Sequence, residues 1–578
     1  MWLAVAASFC VGILGRGYWT PDEPREADIA WRMSWQTGKA VPLLAGEAFC
    51  EKPPFAYWVA AAAIDALGPA AWVARLPNLL YALLTALAVG WIGRRGAGPV
   101  AAVAAAAAIS TFLLSYQVTI WLATDAPLLA AVAVALLGLY LGFYAEQTGE
   151  RLRGYTLRHA ALAVGFLSKS AAAWMVPVLT LLALVVWERR WRELLRWELY
   201  VGAGLQGALI LCWVSFVNAG PDGPARLKVF FWNNLAGRFA HVDAPDALQY
   251  AAAHRNTPGK YLLELPVYLW PWTLLVIAAA RRAWRQRHTP PGVPRLVRFA
   301  IATFAPTLAV LSVAATARNI YLAPALPGVA LLLGWWTQEL ARTHDRWDVR
   351  AARATAALLF FGALMLGAAV VIVGLDGWDA VTARALFATV SAIGVSVAAA
   401  FALAAWRAAT GGRLPRALLA LLLAYTALLV GPTSQIYRRV DAWQDLAAIG
   451  RDIRQDAADR PLILFAPDET TRAFIDMYAS TSVELIPGPI TESSERVLAV
   501  AIASRPQSLV VAQLEGRNES PSWQALAAHF GVAHRHVPTA SAAPAWAAAV
   551  GLGIVHRYAL PNGRRYALLA PPSSNASR

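Results

Sequence analysis

Charge is scarce in this chain. Asp, Glu, Lys and Arg make up only 15% of its 578 residues against 58% hydrophobic, and the mean hydropathy is +0.47. A sequence this apolar cannot fold as a single soluble globule. Cysteine is scarce too: Cys10, Cys50 and Cys212 show neither metal-ligand spacing nor a disulfide framework, so they read as unpaired thiols, although Cys50 falls in a loop where oxidation is possible. The long apolar runs lack the two-residue alternation of a transmembrane barrel, which leaves helices as the spanning elements. Paired internal repeats and charges spread along a membrane path are missing, which argues against an exporter. The first run has no basic flank and no convincing small-residue cleavage site, and so reads as a span and not as a signal peptide.

What is present is a polytopic α-helical pattern. Thirteen spans are expected, at residues 2–16, 70–93, 98–115, 124–145, 158–168, 171–187, 198–218, 262–280, 297–314, 320–338, 354–374, 383–406 and 415–431. Arginines fill alternate loops: Arg94 and Arg95; Arg151, Arg153 and Arg158; Arg189, Arg190, Arg192 and Arg196; Arg281, Arg282, Arg285 and Arg287; Arg342, Arg346, Arg350 and Arg353; Arg407, Arg413 and Arg416. Such loops are expected to face the cytoplasm. The short intervening loops hold almost no arginine or lysine, with Lys169 and Arg318 as exceptions. An odd number of spans starting inside then puts the loop 17–69 and the C-terminus on the exported side. Merging the short fifth span with the sixth would move every later arginine-rich loop to the wrong face. The net charge of +15 is largely this loop arginine, suited to anionic lipid headgroups, and it implies no nucleic-acid partner.

Beyond residue 431 charges return and apolar runs shrink to strand length. The expected division is therefore a membrane domain over 1–431 and a small α/β domain over 432–578, long enough for its own core. Strands are expected at 461–466 and 508–512, helices at 468–479 and 521–530, and a hairpin of 556–560 with 565–569 around Pro561-Asn562-Gly563. The C-terminal segment shows no catalytic triad, phosphate loop or metal cluster, so an accessory role is expected for it.

Within the membrane domain two short clusters of charge stand out early, at Asp22-Glu23-Pro24-Arg25-Glu26 and at Glu51-Lys52-Pro53-Pro54. An unpaired charge at membrane depth costs roughly 2.5 to 3.5 kcal/mol on insertion scales, so such groups usually serve ions or substrates. Asp22 can cap an interfacial helix with Pro24 in its first turn, and the diproline holds Lys52 at a rigid corner before a second interfacial helix. Plainer roles compete: Arg25 can pair with Glu26 or Asp22, Lys52 can snorkel, Asp125 can cap the helix it opens, Lys169 can anchor a short loop, His254 can be an ordinary loop histidine, and Tyr321 can be an interfacial aromatic.

Asp22-Glu23-x-Arg25-x-Ala27 followed by Glu51-Lys52-Pro53-Pro54 and an aromatic run resembles the aminoarabinose lipid A transferase branch of the GT-C membrane glycosyltransferases, related to protein O-mannosyltransferases. Trp121-Leu122-Ala123-Thr124-Asp125, Gly165-Phe166-Leu167-Ser168-Lys169 and Arg318-Asn319-Ile320-Tyr321 extend the likeness over most of the membrane domain. The resemblance implies a GT-C-like fold in a bacterial inner membrane, monomeric, with the site and C-terminal domain periplasmic. It implies transfer of a sugar, 4-amino-4-deoxy-L-arabinose being one candidate, from undecaprenyl phosphate or another polyprenyl phosphate to lipid A or another envelope glycolipid, a protein acceptor being the alternative. On that reading Asp22, then Asp125, is the catalytic carboxylate. Lys52, Arg318 and Tyr321 face the donor phosphate, joined by Arg255 and Lys260 from a cavity-covering loop at 219–261. Glu23, Arg25 and Lys169 line the substrate cavity. By the same likeness Glu51 and His254 could hold a divalent zinc or magnesium ion.

Overall fold

The computed structural model of the chain describes residues 1–234, 257, 259–288, 292–314, 318–340, 342–375, 381–479, 483–515, 543–560 and 564–571. Among these, eight helices are long and apolar enough to cross a membrane, and ten if each of two bent pairs counts as one span. The chain is a multi-span membrane protein. A helix or bent pair coincides with each of the thirteen expected spans, but three do not qualify as crossings by length and composition. Trp2–Leu14 and Ala172–Trp187 are short, and Thr148–Lys169 carries Arg151, Arg153 and Arg158. This last helix begins ten residues before the expected 158, because Arg151 reaches Glu198 (3.1 Å) and the Tyr155 hydroxyl donates to Glu193 (2.6 Å), so its polar half has partners.

The two bent spans meet at their breaks. Pro99–Thr111 turns by 63° into Leu113–Ile120, and Lys260–Tyr268 by 111° into Thr273–Gln286. Backbone freed at such a bend needs a partner when no water is at hand. The Leu113 amide donates to the Trp270 carbonyl (3.0 Å) and the Trp272 indole to the Thr111 hydroxyl (2.8 Å), so each break helps satisfy the other. The Asp125–Phe143 and Thr148–Lys169 helices form an antiparallel hairpin that approaches closely where Gly142 faces Gly154: a Cβ on either would collide with its neighbour. The hairpin brings Asp125, at the start of one helix, level with Lys169, at the end of the other.

The C-terminal segment forms a mixed sheet. Strands β3 (Leu462–Phe465), β4 (Val483–Ile486), β5 (Leu509–Glu515), β6 (Gly553–Ala559) and β7 (Arg565–Ala570) lie in the order β4-β3-β5-β7-β6. The short pair β1 (Leu43–Leu44) and β2 (Glu47–Ala48) belongs to the first loop. In the larger sheet, β3 is parallel to β4 and β5, and the expected hairpin is the antiparallel β6–β7 pair. Alternate residues serve opposite faces. Leu462, Leu464, Leu509 and Val511 pack with the helices Leu446–Ala457 and Glu469–Tyr478, while Ile463, Phe465, Val510 and Ala512 pack with Glu492–Ser504. The strand β4 and the helix Glu492–Ser504 were not foreseen, and the expected helix at 521–530 lies outside the described residues.

The first loop folds as two helices, Asp22–Trp35 and Phe55–Leu67, as its pattern predicts, but Asp22 does not cap the first of them. Glu23 is the residue that fixes this loop. Its carboxylate is fully buried and accepts from both Arg16 Nη atoms (2.9 Å from Nη2), the Trp19 amide (2.9 Å) and the Leu122 amide (2.8 Å), with Arg75 Nε at 3.3 Å. Arg75 in turn donates to the carbonyls of Ile13 (2.7 Å), Arg16 (3.0 Å) and Gly17 (2.5 Å). The acceptor positions of Glu23, expected to line a substrate cavity, are thus occupied by groups of the protein itself. Burial raises the Glu23 carboxyl, but Arg16 and Arg75 outweigh it and hold the group below the usual carboxylate range.

Removing one partner from a buried ion pair typically costs about 3 to 5 kcal/mol, because the other charge stays behind. Glu23→Gln is therefore expected to lower the thermal midpoint of the detergent-solubilised protein markedly. An unchanged midpoint would show that this cluster does not hold the loop.

Candidate active site

Two clusters converge beside the short 3-10 helix Asn319–Ala325. In the first, Arg318 Nη2 donates to Asp22 Oδ2 (2.8 Å) across 296 residues of sequence. Arg25 Nη2 approaches Asp22 Oδ1 (3.3 Å) and also holds Glu26 Oε1 (2.8 Å). Lys52 donates to the same Glu26 oxygen, and the Tyr57 hydroxyl donates to Oε2 (2.7 Å). Lys52 stands at the diproline corner, and its ammonium turns toward the first loop helix. Asp22 is thus ringed by three cations, Arg25, Arg318 and Lys52. Although burial alone would raise its pKa, these hold it at about 2. Burial likewise opposes ionisation of Glu26, while Lys52 and Arg25 keep it at about 2.

The second cluster joins Asp125, Lys169 and Tyr321. Lys169 Nζ donates to Asp125 Oδ1 (2.5 Å) and lies 5.1 Å from the Tyr321 ring centroid, within cation-π range. Neither Asp125 nor Thr124 caps the helix through its side chain. The loop before Asp125 is clamped instead: the Asn78 amide donates to the carbonyls of Thr119 (2.8 Å) and Trp121 (2.7 Å), Arg16 to that of Ile120 (2.7 Å), and Glu23 takes the Leu122 amide. The Tyr321 amide donates to the Arg318 carbonyl (2.9 Å), which also accepts from the Tyr261 hydroxyl (2.7 Å), so one turn of backbone ties the two clusters together.

Of the residues predicted from sequence, the structure gathers Asp22, Arg25, Lys52, Arg318, Asp125, Lys169 and Tyr321. Lys260 Nζ lies 4.0 Å from Glu264. The backbone carbonyl of Glu51 accepts from the Asn234 amide. Arg255 and His254 lie outside the described residues. Among the described residues no three His, Cys, Asp or Glu side chains come together as a metal site. Sequence reasoning missed Glu26, Tyr57, Asn78, Arg16, Arg75 and Glu469. Arg75 carried a signal, being a charged residue inside the expected span 70–93.

Several known proteins are similar to this chain. A family described as dolichyl-phosphate-mannose-protein mannosyltransferase matches residues 51–216. Curated undecaprenyl phosphate-alpha-4-amino-4-deoxy-L-arabinose arabinosyl transferases also match. The one from Pseudomonas paraeruginosa is 30% identical over 351 residues, covering 60% of this chain and 61% of that protein. Its counterpart in Edwardsiella ictaluri is 29% identical, with the same coverage of each chain. The chain thus spans about three-fifths of the length of the curated relatives it matches. The crystal structure of ArnT from Cupriavidus metallidurans bound to undecaprenyl phosphate superposes with a TM-score of 0.70, at 19% identity, over 98% of this chain and 97% of that one. In the apo state the same protein gives 0.68. The chain has the GT-C fold of the aminoarabinose transferases. In sequence and in fold the chain is thus similar to the aminoarabinose transferases. The membrane fold expected from sequence is thus borne out, with its small sheet at the C-terminal end.

One carboxyl beside the GT-C site behaves differently from the rest. Asp28 Oδ2 accepts from the Ala45 amide (2.7 Å) and Oδ1 lies 3.8 Å from Arg32 Nε, while the carboxyl also meets Asp476, which Arg32 grips through Nε (2.6 Å) and Nη2. Burial first, then a hydrogen bond with Asp476 and the charge of that group, push the Asp28 carboxyl well above its ordinary value, which favours a proton shared between the two acids. An acid raised on folding gives stability that is complete below its unfolded pKa, here about 4, and is lost as pH climbs toward the folded value. Asp28→Asn keeps a donor for Asp476 without the titration. Its thermal midpoint is expected to gain on the wild type between pH 4.5 and pH 8; a constant difference across that range would contradict the shared proton.

Proposed function

We propose that the protein is a membrane glycosyltransferase that moves a sugar from a polyprenyl phosphate to an acceptor presented at the exported face of a bacterial inner membrane. The observation that carries this reading is the Asp22–Arg318 pair, which joins a carboxylate of the first loop to a cation and an aromatic of the 318–321 turn. The 4-amino-4-deoxy-L-arabinose of the matched relatives is the sugar of choice, undecaprenyl phosphate its carrier, and lipid A or another envelope glycolipid its acceptor. The mannosyltransferase match over residues 51–216 favours a protein acceptor as the second reading. On this proposal residues 1–431 carry the chemistry, residues 432–578 form the exported C-terminal unit, and the working unit is a monomer.

Breaking the bond between the anomeric carbon and the carrier phosphate leaves negative charge on that phosphate. Preorganised cations there supply the largest stabilising term in many such sites. Arg318 suits the role: a guanidinium carries five donors, its bond to Asp22 uses one, and its side chain is 46% exposed. Lys52 approaches from the diproline corner, with Lys169 and Tyr321 from the adjoining cluster. Asp22 faces the acceptor. Held near pKa 2, it is a weak proton acceptor at neutral pH, so its proposed work is to orient an acceptor hydroxyl and to oppose the positive charge that develops on the sugar ring. Glu51 alone among the described residues represents the expected zinc or magnesium pair, which is too few donors for a site, and no step runs through a metal.

Asp22→Asn is expected to cut transfer in isolated membranes by about 100-fold or more at normal protein level, and by the same factor from pH 5 to pH 8, since Asp22 is ionised throughout. Retained transfer would sink the role. Lys52→Ala should weaken use of the polyprenyl-phosphate donor more than Lys52→Arg; equal donor dependence in both variants and wild type would count against a phosphate contact. Mass analysis of envelope lipids with and without the protein identifies the acceptor, and unchanged lipids alongside a newly glycosylated protein would move the assignment to the second reading.

A further inference from the structure

The C-terminal unit reaches into the first cluster. Arg25 Nη1 donates to Glu469 Oε2 at 2.5 Å, across 444 residues of sequence, and the same guanidinium contacts Asp22 and Glu26. Glu469 opens the helix Glu469–Tyr478, and its place is fixed from three sides. Asp468 caps the helix by accepting from the Thr471 amide (2.7 Å), and Arg564 Nη1 approaches that aspartate at 3.3 Å. The Thr470 hydroxyl donates to the Pro21 carbonyl (3.0 Å), next to Asp22. The Thr471 hydroxyl approaches Gln513 of β5 at 3.3 Å.

A second tether, Arg32 to Asp476, lies seven residues further along both helices. Equal spacing on the two partners means that the helices run side by side in the same direction for two turns, about 10 Å. Ala473 lies fully buried with Ala27, Ile29, Ala30 and Met33 between the tethers. The Arg32 tether and this apolar contact thus also hold the C-terminal unit, apart from Arg25. The Arg25 tether adds something else: it holds Nη1 at 2.5 Å from Glu469 while Nη2 stands 3.3 Å from Asp22 Oδ1, so the two acids share one guanidinium.

We propose that Glu469 is a positioning residue for the transfer site, setting how much of the Arg25 guanidinium falls on Asp22. The C-terminal unit thereby completes the site instead of merely accompanying it. Without the Glu469 charge, Arg25 closes on Asp22 and occupies the oxygen that the acceptor needs. The rate then falls while donor binding, which depends on Lys52 and Arg318, is spared.

This inference rests on the glycosyltransferase reading for its kinetic arm. The full chain in lipid nanodiscs, supplied with a polyprenyl-phosphate sugar and acceptor lipid, is compared with Glu469→Gln, Glu469→Asp and Asp476→Asn. Glu469→Gln is expected to lower kcat by about 10- to 100-fold with donor KM within about twofold, the pattern of a misplaced group. Glu469→Asp should recover part of the loss. Asp476→Asn should lower the thermal midpoint and leave kcat alone. A Glu469→Gln rate within about twofold of wild type overturns the proposal. So does an Asp476→Asn protein as impaired in kcat as Glu469→Gln, since docking alone would then account for the effect. A wild-type protein inert toward polyprenyl-phosphate sugars defeats the functional reading separately. The contact is then judged by the thermal midpoints of Arg25→Gln, Glu469→Gln and the double variant: additive shifts overturn it and strongly non-additive shifts uphold it.

Discussion

The buried Glu23 carboxylate is the constraint from which the site's geometry follows. Two guanidiniums and two backbone amides converge on it, and those amides belong to different segments: Trp19 in the connection between the first two helices and Leu122 in the loop that leads to Asp125. A single negative charge thus sets the first loop helix against the bend of a distant span. A charge buried this completely persists only when well paired, and here the partners are also the chain's route into the site. Asp22 and Asp125 are held in relation to one another because their neighbours share Glu23.

Around that hub, acids and cations are arranged in excess of what folding needs. Asp22 and Glu26 both lie among cations that outweigh the cost of their burial, and Glu26 joins Arg25, Lys52 and Tyr57 through its two oxygens. Such a network keeps its members charged and oriented at neutral pH. It also separates two kinds of carboxylate on one helix. Asp22 is kept ionised, whereas Asp28, two turns along and facing Asp476, is kept protonated. The difference comes from the neighbours: cations surround the first, and another acid faces the second.

Much of this was legible in the sequence because the chain is so poor in charge. In a background of alanine and leucine, Asp22, Lys52, Asp125, Lys169 and Arg318 stand out, and the arginine alternation made Lys169 and Arg318 anomalies before any contact was known. The diproline and the span pattern were enough to expect the two helices of the first loop. Glu26 and Tyr57 were not legible as site residues, since a helix-face acid and an aromatic look ordinary until tertiary packing joins them. Glu469 was hidden more deeply: it follows a good capping aspartate in a segment without catalytic motifs, and its partner lies 444 residues earlier. The capping role that local propensity offers Asp22 is not realised, because its carboxylate is turned to Arg318 and Arg25.

The separation of Asp22 from Arg318 by 296 residues has a meaning in time as well as in space. At about 5 to 20 residues per second, a ribosome needs roughly 15 to 60 s to travel from one to the other. During that interval the first loop emerges with its carboxylate beside Arg25 and without Arg318, and Glu469 follows later still. The proposed site stays incomplete while the first half of the chain is made, and its two clusters meet only once Arg318 and Tyr321 have arrived.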